Sequence, residues 1–311
     1  MSDFTDMEIF ARVVSAGSMS AAGREMGLSP AVISKRIRRL ETRLGTRLLQ
    51  RTTRQLALTE AGQGFYERVV VILAAIEEAE EFVTQRSRTT HGTLKIAAPT
   101  SFGRLHVAPH LGRFIETHGN LQINLVLSDE FVDVVAEGFD LAIRIAALTD
   151  SSLVAKRLAP INRVLCAAPS YLNHHGTPTS LDALRRHVCL AAAPQIPWSL
   201  EGPEGTVTIR PQGPLATNSN EVVREAVIAG LGIALRSTWD VGPELAAGKL
   251  KVVMPAYRAS ERVAVHAIYP TRSFLPAKVR VFIDFLASLY APVPYWDAGL
   301  ETVLAAAGNP E

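Results

Sequence analysis

Five basic side chains stand within nine residues, in the segment SKRIRRLETR that covers positions 34–43, and their shared chemistry is the binding of phosphate. They are Lys35, Arg36, Arg38, Arg39 and Arg43. Ammonium and guanidinium groups at this density neutralise phosphates and give salt-dependent affinity for nucleic acid. The alternative is an ordinary helix with a solvated basic face, which is what most charge runs are. The neighbouring elements have to decide between the two interpretations.

Positive charge is concentrated around this segment and not spread over the chain. The 311 residues carry a formal net charge of only +2. Between positions 24 and 54, however, nine basic residues stand against two acidic ones, Glu25 and Glu41, which gives this stretch a charge of +7. The segment 77–81 is then acidic. This asymmetry predicts a nucleic-acid surface on one part of the protein only.

The elements around the basic segment are typical of a helix-turn-helix. Ser29 is a good N-cap and Pro30 suits the first helical position, and apolar residues then recur at helical spacing. Ser18 caps a preceding short helix, and MGLSP (26–30) forms the turn between the two. The alternation in TRLLQRTTRQLALT (46–59) predicts a hairpin, a wing whose tip carries Arg51 and Arg54 close to DNA phosphates or a minor groove. A solvated hairpin is the alternative for this last element.

A longer helix is predicted over residues 59–88, with Thr59 as its N-cap. Its apolar residues follow spacings of four and three, which is a heptad seam: Phe65, Val69, Ile72, Ile76, Ala79 and Val83. A helix buried against the next domain would also be apolar, but its stripe would be wider. The seam therefore favours dimerisation, and a dimer would read a two-fold related DNA site.

Beyond the polar break at RSRTTHG (86–92), strand and helix patterns alternate, which predicts an α/β sheet with helices on both faces. Helices are expected over about 104–117 and in FVDVVAEG (131–138). Ligands bind beyond the carboxyl ends of strands in such sheets. Polar side chains follow successive strands there and form one predicted pocket wall: Thr100, Ser101, Ser128, Asp129 and Arg144.

A second predicted wall lies downstream at Asn218, Ser219 and Asn220, where another helix begins. The two helix N-termini, near 101–102 and 218–220, would then lie at one cleft and attract an anion through their free N–H groups. Arg144 would add positive charge. These features predict a small carboxylate as the ligand.

Several motifs together give the chain a resemblance to the LysR-type transcriptional regulators. They are Phe10 and Val13, GSMSAAG (17–23), LSPAVISKRIRRLETRLGTRLLQRTTRQLALTEAG (28–62), FDLAIRIA (139–146) and AGLGIAL (229–235). The resemblance runs nearly end to end, and its first part is far more specific than a generic helix-turn-helix. It implies a winged helix-turn-helix domain at 1–58, a linker and dimerisation helix at 59–88 and a bilobed effector domain, like a periplasmic binding protein of type 2, at 89–311.

The resemblance also implies which residues contact double-stranded DNA. Base contacts fall at the start of the basic helix, on Pro30, Ala31, Ser34 and Lys35, with Arg38 nearer the backbone. Ser18 and the wing residues Arg51, Thr53 and Arg54 complete the predicted set. Many members have a Gln-like residue followed by proline where this chain has Pro30 and Ala31. Proline cannot donate to a base edge, so readout there would be apolar, on a thymine methyl, or would shift to Ser34 and Lys35.

For the effector domain, the resemblance implies a ligand held between two α/β lobes. Lobe one would comprise 91–162 and 267–295, and lobe two 163–266. Contacts would come from Thr100, Ser101, Phe102 and Ser128, and Phe102 stands where Ser or Thr is common, which would make the pocket more apolar. The expected partners are promoter DNA, a small-molecule effector and further copies of the chain, first as a dimer and then as a tetramer.

Other classes of function find little support in the sequence. G-x-S-x-G, the P-loop lysine motif and H-E-x-x-H are absent, so no enzyme site can be assembled, and no cofactor is expected. Pro109 disrupts the His106/His110 pair as a metal site, and His174/His175 lacks further ligands. Two cysteines, Cys166 and Cys189, argue against a disulfide scaffold.

The alternatives to a regulator are a solute receptor of the same bilobed fold and a non-specific chromatin-type protein. A receptor would need an export signal, which the acidic MSDFTDMEIF lacks. A chromatin-type protein would lack the large α/β region. No apolar run reaches membrane-spanning length, so a cytoplasmic protein is expected. Trp198 is expected in the core and not at the cleft.

Overall fold

Three helices and a two-stranded hairpin form the first part of the computed structural model, which describes residues 3–51, 56–83, 90–147, 153–193, 197–260, 262–270 and 275–301. The helices are α1 (Asp3–Ser15), α2 (Met19–Met26) and α3 (Pro30–Leu44). The hairpin pairs β1 (Leu49–Arg51) with β2 (Leu56–Leu58) in antiparallel register. This is the predicted helix-turn-helix followed by its wing.

Serine caps determine where α2 and α3 begin. The side chains of Ser18 and Ser29 accept hydrogen bonds from the backbone N–H groups of Ala21 and Val32, at 3.0 and 3.3 Å. Pro30 is the first helical residue of α3, as predicted. The apolar stripe of α3 packs on α1 in a buried core that includes Ile9, Phe10, Val13, Ile33, Ile37 and Leu40.

A long helix, α4 (Glu60–Val83), follows the hairpin. Thr59 caps it, as predicted, because its Oγ1 accepts a hydrogen bond from the N–H of Gly62 at 2.9 Å. Gly62 lies directly on the loop before the hairpin. A Cβ at this position would lie 1.9 Å from the carbonyl oxygen of Leu48. The start of α4 can therefore pack this closely only because residue 62 has no side chain.

Strands and helices alternate beyond residue 90, as predicted. The strands are β3 (Gly92–Ala98), β4 (Leu121–Leu127), β5 (Leu141–Ala147), β6 (Val154–Pro160), β7 (Arg163–Ala167), β8 (Cys189–Leu190), β9 (Trp198–Gly202), β10 (Gly205–Ile209), β11 (Ile233–Ser237), β12 (Lys251–Val252), β13 (Arg258–Ala259) and β14 (Val263–Tyr269). The helices are α5 (Thr100–Phe102), α6 (Leu111–Thr117), α7 (Pro169–His175), α8 (Leu181–Leu184), α9 (Asn220–Ile228), α10 (Thr238–Ala246) and α11 (Ala277–Tyr290). A π-helical turn (Gly103–Val107) and a 3₁₀ turn (Ala108–His110) join α5 to α6, and a further 3₁₀ turn covers Tyr295–Asp297.

Two sheets organise these elements into two lobes. The first sheet has the order β4-β3-β5-β14-β6, and α6 and α11 pack on it through the rings of Phe114 and Phe282, whose centroids are 5.1 Å apart. The second sheet has the order β10-β9-β13-β7-β11-β8, with β12 beside β7. Val223 of α9 and Val241 of α10 belong to the apolar cluster that packs on this second sheet. We call the two bodies lobe one and lobe two.

The chain crosses between the lobes twice, and the second crossing differs from the predicted one. The first crossing lies between Pro160 and Arg163. The return lies between Ala259 and Val263, because β14 pairs with β5 from Val263 onward. The predicted boundary at 266/267 therefore falls inside a strand, and residues 263–266 belong to lobe one.

The segment 131–138 is not the predicted helix: residues 131–133 have no regular structure and residues 134–138 form turns. The reason lies in two acidic side chains that bind backbone N–H groups locally. Asp133 Oδ1 accepts hydrogen bonds from the N–H groups of Val135 and Ala136, both at 3.0 Å, and Glu137 Oε1 accepts from the N–H of Asp133 at 2.9 Å. The first helix of lobe one also starts earlier than predicted, at Thr100. No helix in the described residues is long and apolar enough to cross a membrane.

Candidate DNA-binding surface and ligand cavity

The first turns of α3 present the predicted DNA-contacting residues on the protein surface. Pro30, Ala31, Lys35 and Arg38 are exposed, and Ser34 is half-buried. An Nη2 of Arg38 lies 3.4 Å from Ser34 Oγ and donates to it, so these two side chains lie side by side on the outer face. A helix with its buried stripe on one side and this polar row on the other can lie in a major groove.

Two of the basic residues share an acidic partner, Asp6, that the sequence pattern did not reveal. Arg36 Nη1 donates to Asp6 Oδ1 of α1 at 2.9 Å, and Arg39 Nε lies 3.7 Å from Asp6 Oδ2. Asp6 is only 1% exposed. Phosphate binding, the chemistry first assigned to all five basic side chains of this segment, therefore needs correction for Arg36, because its charge holds α3 against α1. Arg39 is largely exposed and can contact both Asp6 and a phosphate.

The wing and the cap of α2 are described in part. Thr53 and Arg54 lie outside the described residues, and of Arg51 only the backbone is described, which pairs with Leu56. Ser18 Oγ is occupied as the N-cap of α2. The two described strands nevertheless form the antiparallel pair predicted after the two helices.

The heptad seam of α4 divides into two parts. Phe65 packs on Phe10 with ring centroids 5.6 Å apart, and Val69 is buried, so the first part covers the N-terminal domain itself. Ile72 is 43% exposed and Ile76 is half-buried. The side chains of Ala79 and Val83 lie outside the described residues. The seam thus leaves the domain core and becomes accessible from Ile72 onward.

A cavity of about 440 Å³ lies between the two lobes. Lobe one contributes Ser101, Ser128, Asp129, Phe131 and Arg144 to its wall, among others. Lobe two contributes Arg163, Asn220, Arg236, Ser237 and Trp239. The volume suits a small organic molecule.

Three guanidinium groups line the cavity, and two of them form no ion pair among the described residues. Arg144 donates to the carbonyl oxygen of Val132 and lies 4.2 Å from the centroid of the Phe131 ring. Arg163 donates to the carbonyl oxygen of Leu235 at 3.5 Å. Burial lowers the pKa of Arg144, partly offset by the charge of Asp133, which raises it. Burial together with the charge of Arg236 lowers the pKa of Arg163 to about 10. Both groups remain charged at neutral pH, where an anion would stabilise them.

The third guanidinium is fixed by its neighbours. Arg236 forms a two-pronged ion pair with Asp240, and its Nη1 lies 3.2 Å from Asn220 Oδ1. Asp240 neutralises much of this charge, and the pair sets the orientation of Asn220 at the start of α9. Two acidic residues, Asp129 and Glu130, also line the cavity. The Asp129 carboxylate accepts a hydrogen bond from the N–H of Thr100 at 2.8 Å.

The structure brings half of the predicted ligand-binding residues to the cavity. Ser101, Ser128, Arg144 and Asn220 line it, whereas Thr100, Asn218 and Ser219 do not. The expectation of two free helix N-termini at the cleft is wrong, because side chains already accept hydrogen bonds from N–H groups at both. Asp129 occupies the N–H of Thr100, and Ser219 Oγ caps α9 through the N–H of Val222 at 3.4 Å.

Phe102 requires an outright correction, because it lies in the core of lobe one with 0% exposure. Its ring packs within about 6 Å of four other aromatic rings, those of His106, Trp239, Tyr290 and Trp296. The preceding residue, Ser101, faces the cavity instead, and its hydroxyl has no hydrogen-bond partner among the described residues. The pocket is therefore polar at this point.

Sequence reasoning missed the lobe-two arginines. Arg163 and Arg236 lie on the neighbouring strands β7 and β11, whose pairing matches Arg236 with Val164. The segment LRSTWD (235–240) did contain a signal, because arginine and aspartate four residues apart often pair. Trp198, as expected, is buried in the core of lobe two.

A second cavity, of about 430 Å³, lies beside the first and shares Trp239 with it. Its two arginines are matched by acids: Arg104 pairs with Glu221 at 3.1 Å, and Arg224 pairs with Glu225 and Glu244. The second cavity therefore has less uncompensated positive charge with which to bind an anion than the first cavity has.

Other reactive groups in the described residues are engaged in packing. His106 Nδ1 and His110 Nε2 lie 2.7 and 3.2 Å from the hydroxyl of Tyr295. No group of three or more potential metal ligands occurs among the described residues. Burial raises the pKa of Cys166 to about 12 and that of Cys189 to about 11, so neither thiol is ionised at neutral pH.

The chain is similar to known proteins along most of its length. Residues 4–63 match the model of the bacterial regulatory helix-turn-helix proteins of the lysR family, and residues 87–291 match the LysR substrate binding domain. The HTH-type transcriptional activator TtdR of Escherichia coli (strain K12) is 37% identical over 287 residues, which cover 91% of this chain and 92% of TtdR. The HTH-type transcriptional regulator DmlR of the same strain is 37% identical over 290 residues, covering 92% and 94%. The full-length structure of AphB, a Vibrio cholerae virulence activator of the LTTR family, is 30% identical, covers 92% of this chain and 99% of AphB, and superposes with a TM-score of 0.59.

Proposed function

Because this chain belongs to the LysR family of bacterial transcriptional regulators, we propose that a small organic acid binds between its lobes and changes its affinity for promoter DNA. The protein is a DNA-binding transcriptional regulator and not an enzyme. Members of the family bind DNA and small-molecule effectors and form oligomers. The N-terminal match also removes the alternative of a solute receptor. Since its target is chromosomal DNA, we expect it to act in the cytoplasm.

The single observation that carries the choice of an organic acid is the pair of half-buried guanidinium groups on opposite walls of the cavity. Arg144 belongs to lobe one and Arg163 to lobe two, and neither forms an ion pair within the described residues. Of the two carboxylates in the wall, Asp129 is directed to the N–H of Thr100. A carboxylate in the cavity would compensate the desolvation of both arginines and would connect the two lobes. Ser101, Ser128 and Asn220 supply further hydrogen bonds.

The predicted effect of an acid is measurable as added stability of the full-length protein. A ligand at 100 times its Kd should add roughly 2.7 kcal/mol to the free energy of unfolding. The measurement is a thermal-shift titration with acetate, benzoate, succinate and citrate, each beside its neutral amide. We expect Arg144→Met to weaken binding of the active acid by about ten-fold or more, because it removes a charged hydrogen-bond donor.

The matched control is Arg104→Met, which removes an arginine from the second cavity and should leave the affinity unchanged. Equal stabilisation by an acid and its amide would show that charge is not recognised, and the choice of a carboxylate would then be wrong. Loss of binding in Arg104→Met alone would place the ligand in the second cavity.

For DNA, we propose that α3 enters the major groove with Ser34 and Lys35 near base edges and Arg38 near phosphates. Arg38→Ala is expected to weaken binding to operator and random DNA alike and to lower the slope of log K against log salt by about one. Ser34→Ala should instead reduce the preference for the operator. Fluorescence anisotropy at several salt concentrations, with an operator selected from random DNA, measures both quantities.

The control for this series is Lys249→Ala, an exposed lysine in the turn after α10, which should keep the wild-type slope. A slope unchanged in Arg38→Ala would exclude a phosphate contact for Arg38. Equal losses on operator and random DNA in Ser34→Ala would exclude base readout by Ser34.

We further propose that two chains pair through α4 and that two such dimers form a tetramer. The support is the apolar surface at Ile72 and Ile76, which continues the heptad seam beyond the core of the N-terminal domain. Pairing at this place would set two α3 helices at a fixed separation for a two-fold related site.

A further inference from the structure

The connection between β4 and β5, residues 128–140, contacts both the ligand cavity and the N-terminal domain. We call it the bridge loop. Its first half, from Ser128 to Val132, lines the cavity. Its second half packs against the end of α1 and the start of α4. We propose that the bridge loop is the docking surface through which the cavity acts on the DNA-binding domain of the same chain. This inference rests on the proposed function of the cavity.

On the cavity side, Arg144 holds the bridge loop. Its guanidinium donates to the carbonyl oxygen of Val132 and stacks on the ring of Phe131, which is 81% exposed. A carboxylate bound to Arg144 would compete with these two contacts or reinforce them. Either way, a ligand at Arg144 changes the forces on residues 131–132.

On the other side, the bridge loop touches the N-terminal domain through side chain and backbone. Val135 packs against the apolar core that contains Phe10 and Tyr66. The backbone at Gly138 is so close to α1 and α4 that a Cβ there would lie 2.6 Å from Ser15 Cβ and 3.0 Å from the Tyr66 hydroxyl. Gly138 has a φ of +65°, which glycine adopts without strain.

Lys95 of β3 forms hydrogen bonds to both the bridge loop and the N-terminal domain. Its ammonium donates to the carbonyl oxygen of Glu137 in the bridge loop at 2.8 Å and to that of Ser15, the last residue of α1, at 3.3 Å. It also lies 4.6 Å from the centroid of the Phe139 ring. One positive charge thus joins the carbonyl oxygens of both domains.

The bridge loop is stiff enough to transmit a displacement from one end to the other. Val134 and Phe139 are buried in a small apolar cluster with Ala97 and Ala142 of the sheet. The carboxylates of Asp133 and Glu137 bind the loop's own N–H groups. Because these bonds hold 133–138 as one unit, a shift at residues 131–132 moves the surface that α1 and α4 rest on.

Hydrogen exchange of the full-length protein tests this route without requiring the natural effector. We expect Arg144→Met to speed amide exchange about ten-fold or more at the end of α1 and the start of α4, two segments that Arg144 does not touch. Lys95→Met should loosen the same two segments. Lys156→Met, on the same sheet but paired with Asp284, should leave them at wild-type rates.

Changes confined to 128–140 and the adjacent strands in Arg144→Met would overturn the inference. If that variant does not fold, Phe131→Ala provides the same comparison from an exposed position.

Exchange of the wild type with and without benzoate or succinate separates this inference from the proposed function. Protection of the cavity residues without any change in α1 and α4 would leave the proposed function standing and overturn the bridge loop. If neither acid binds while Arg144→Met still loosens both helices, the bridge loop stands and the organic-acid effector is wrong.

Discussion

Gly62→Ala is expected to abolish DNA binding, although residue 62 lies on α4 and is not among the residues proposed to contact DNA. The added methyl would lie 1.9 Å from the carbonyl oxygen and 2.8 Å from the carbonyl carbon of Leu48, and these are backbone atoms that cannot rotate away. The start of α4 must then separate from the loop that leads into the wing. We expect the free energy of unfolding of the N-terminal domain to fall by about 3 kcal/mol or more.

Gly64→Ala is the matched control, two residues further along the same helix. Its Cβ would meet only the flexible end of Arg68, at 3.4 Å. Alanine favours helix over glycine by about 1 kcal/mol, so this variant should be neutral or slightly more stable. Anisotropy with labelled operator and thermal unfolding of the full chain measure both variants. Wild-type affinity in Gly62→Ala would mean that the packing of α4 on Leu48 does not hold the domain together.

Acidification from pH 7.5 to 5.0 is expected to remove about 2 kcal/mol of stability through His106 alone. This side chain is buried where the lobes meet, with Nε2 2.9 Å from the carbonyl oxygen of Trp239 and Nδ1 2.7 Å from the Tyr295 hydroxyl. Burial, and to a lesser degree the charge of His110, lower its pKa from 6.5 to about 4. The hydrogen bond to the Trp239 carbonyl oxygen acts in the opposite direction and raises the pKa, but it is outweighed. The neutral ring therefore donates from Nε2 and accepts from Tyr295 at Nδ1.

The direction of the effect follows from the lowered pKa. Between pH 6.5 and 4 the unfolded chain binds a proton at His106 that the folded chain does not. The stabilisation is complete above pH 6.5, declines as the pH falls towards 4, and changes no further below that. Its full size is about 3 kcal/mol, since one pKa unit corresponds to about 1.4 kcal/mol.

Urea unfolding at a series of pH values measures this linkage. His106→Gln should be less stable than wild type at pH 7.5 and should lose about 2 kcal/mol less between pH 7.5 and 5.0. The exposed His91→Gln should follow the wild type throughout. Parallel pH profiles for wild type and His106→Gln would show that His106 is not the residue that resists protonation.

Local patterns predicted the parts of this structure that local chemistry determines. Ser29, Pro30 and Thr59 act at their helix ends as expected, because capping involves atoms within three residues. Ser101, Ser128 and Arg144 come together at the cavity because strand ends in an α/β sheet share one edge. The helix-turn-helix with its hairpin and the alternation of strands and helices follow from such patterns, whereas the division into two lobes was implied by the resemblance to the family, whose known structures agree with it.

The misses have a common physical origin in contacts between residues far apart in the chain. Asp6 and Arg36 are 30 residues apart, so helix periodicity alone could not pair them. Arg163 and Arg236 reach the cavity only because lobe two packs against lobe one. Phe102 and Ser101 differ by a single position, and the distant rings of Trp239, Tyr290 and Trp296 decide which one is buried.

The position of β14 in the first sheet has a consequence for synthesis on the ribosome. β14 lies between β5 and β6, yet it is made after the whole of lobe two. Until residue 269 emerges, one edge of β5 is unpaired, and β6 lacks β14, the strand through which it joins the sheet. Lobe two is contiguous from β7 to β13 and can fold during this interval. At typical elongation rates, the 109 residues from Pro160 to Tyr269 take about 5 to 20 s.

During that time, the lobe that will carry Arg144 and the bridge loop is an incomplete sheet, and an unpaired strand can associate with other chains. β6 contains Lys156 and Arg157 and ends at Pro160, residue types that discourage such pairing. The sheet of lobe one, which carries Arg144 and the bridge loop, is thus closed only after β7 to β13 have been made.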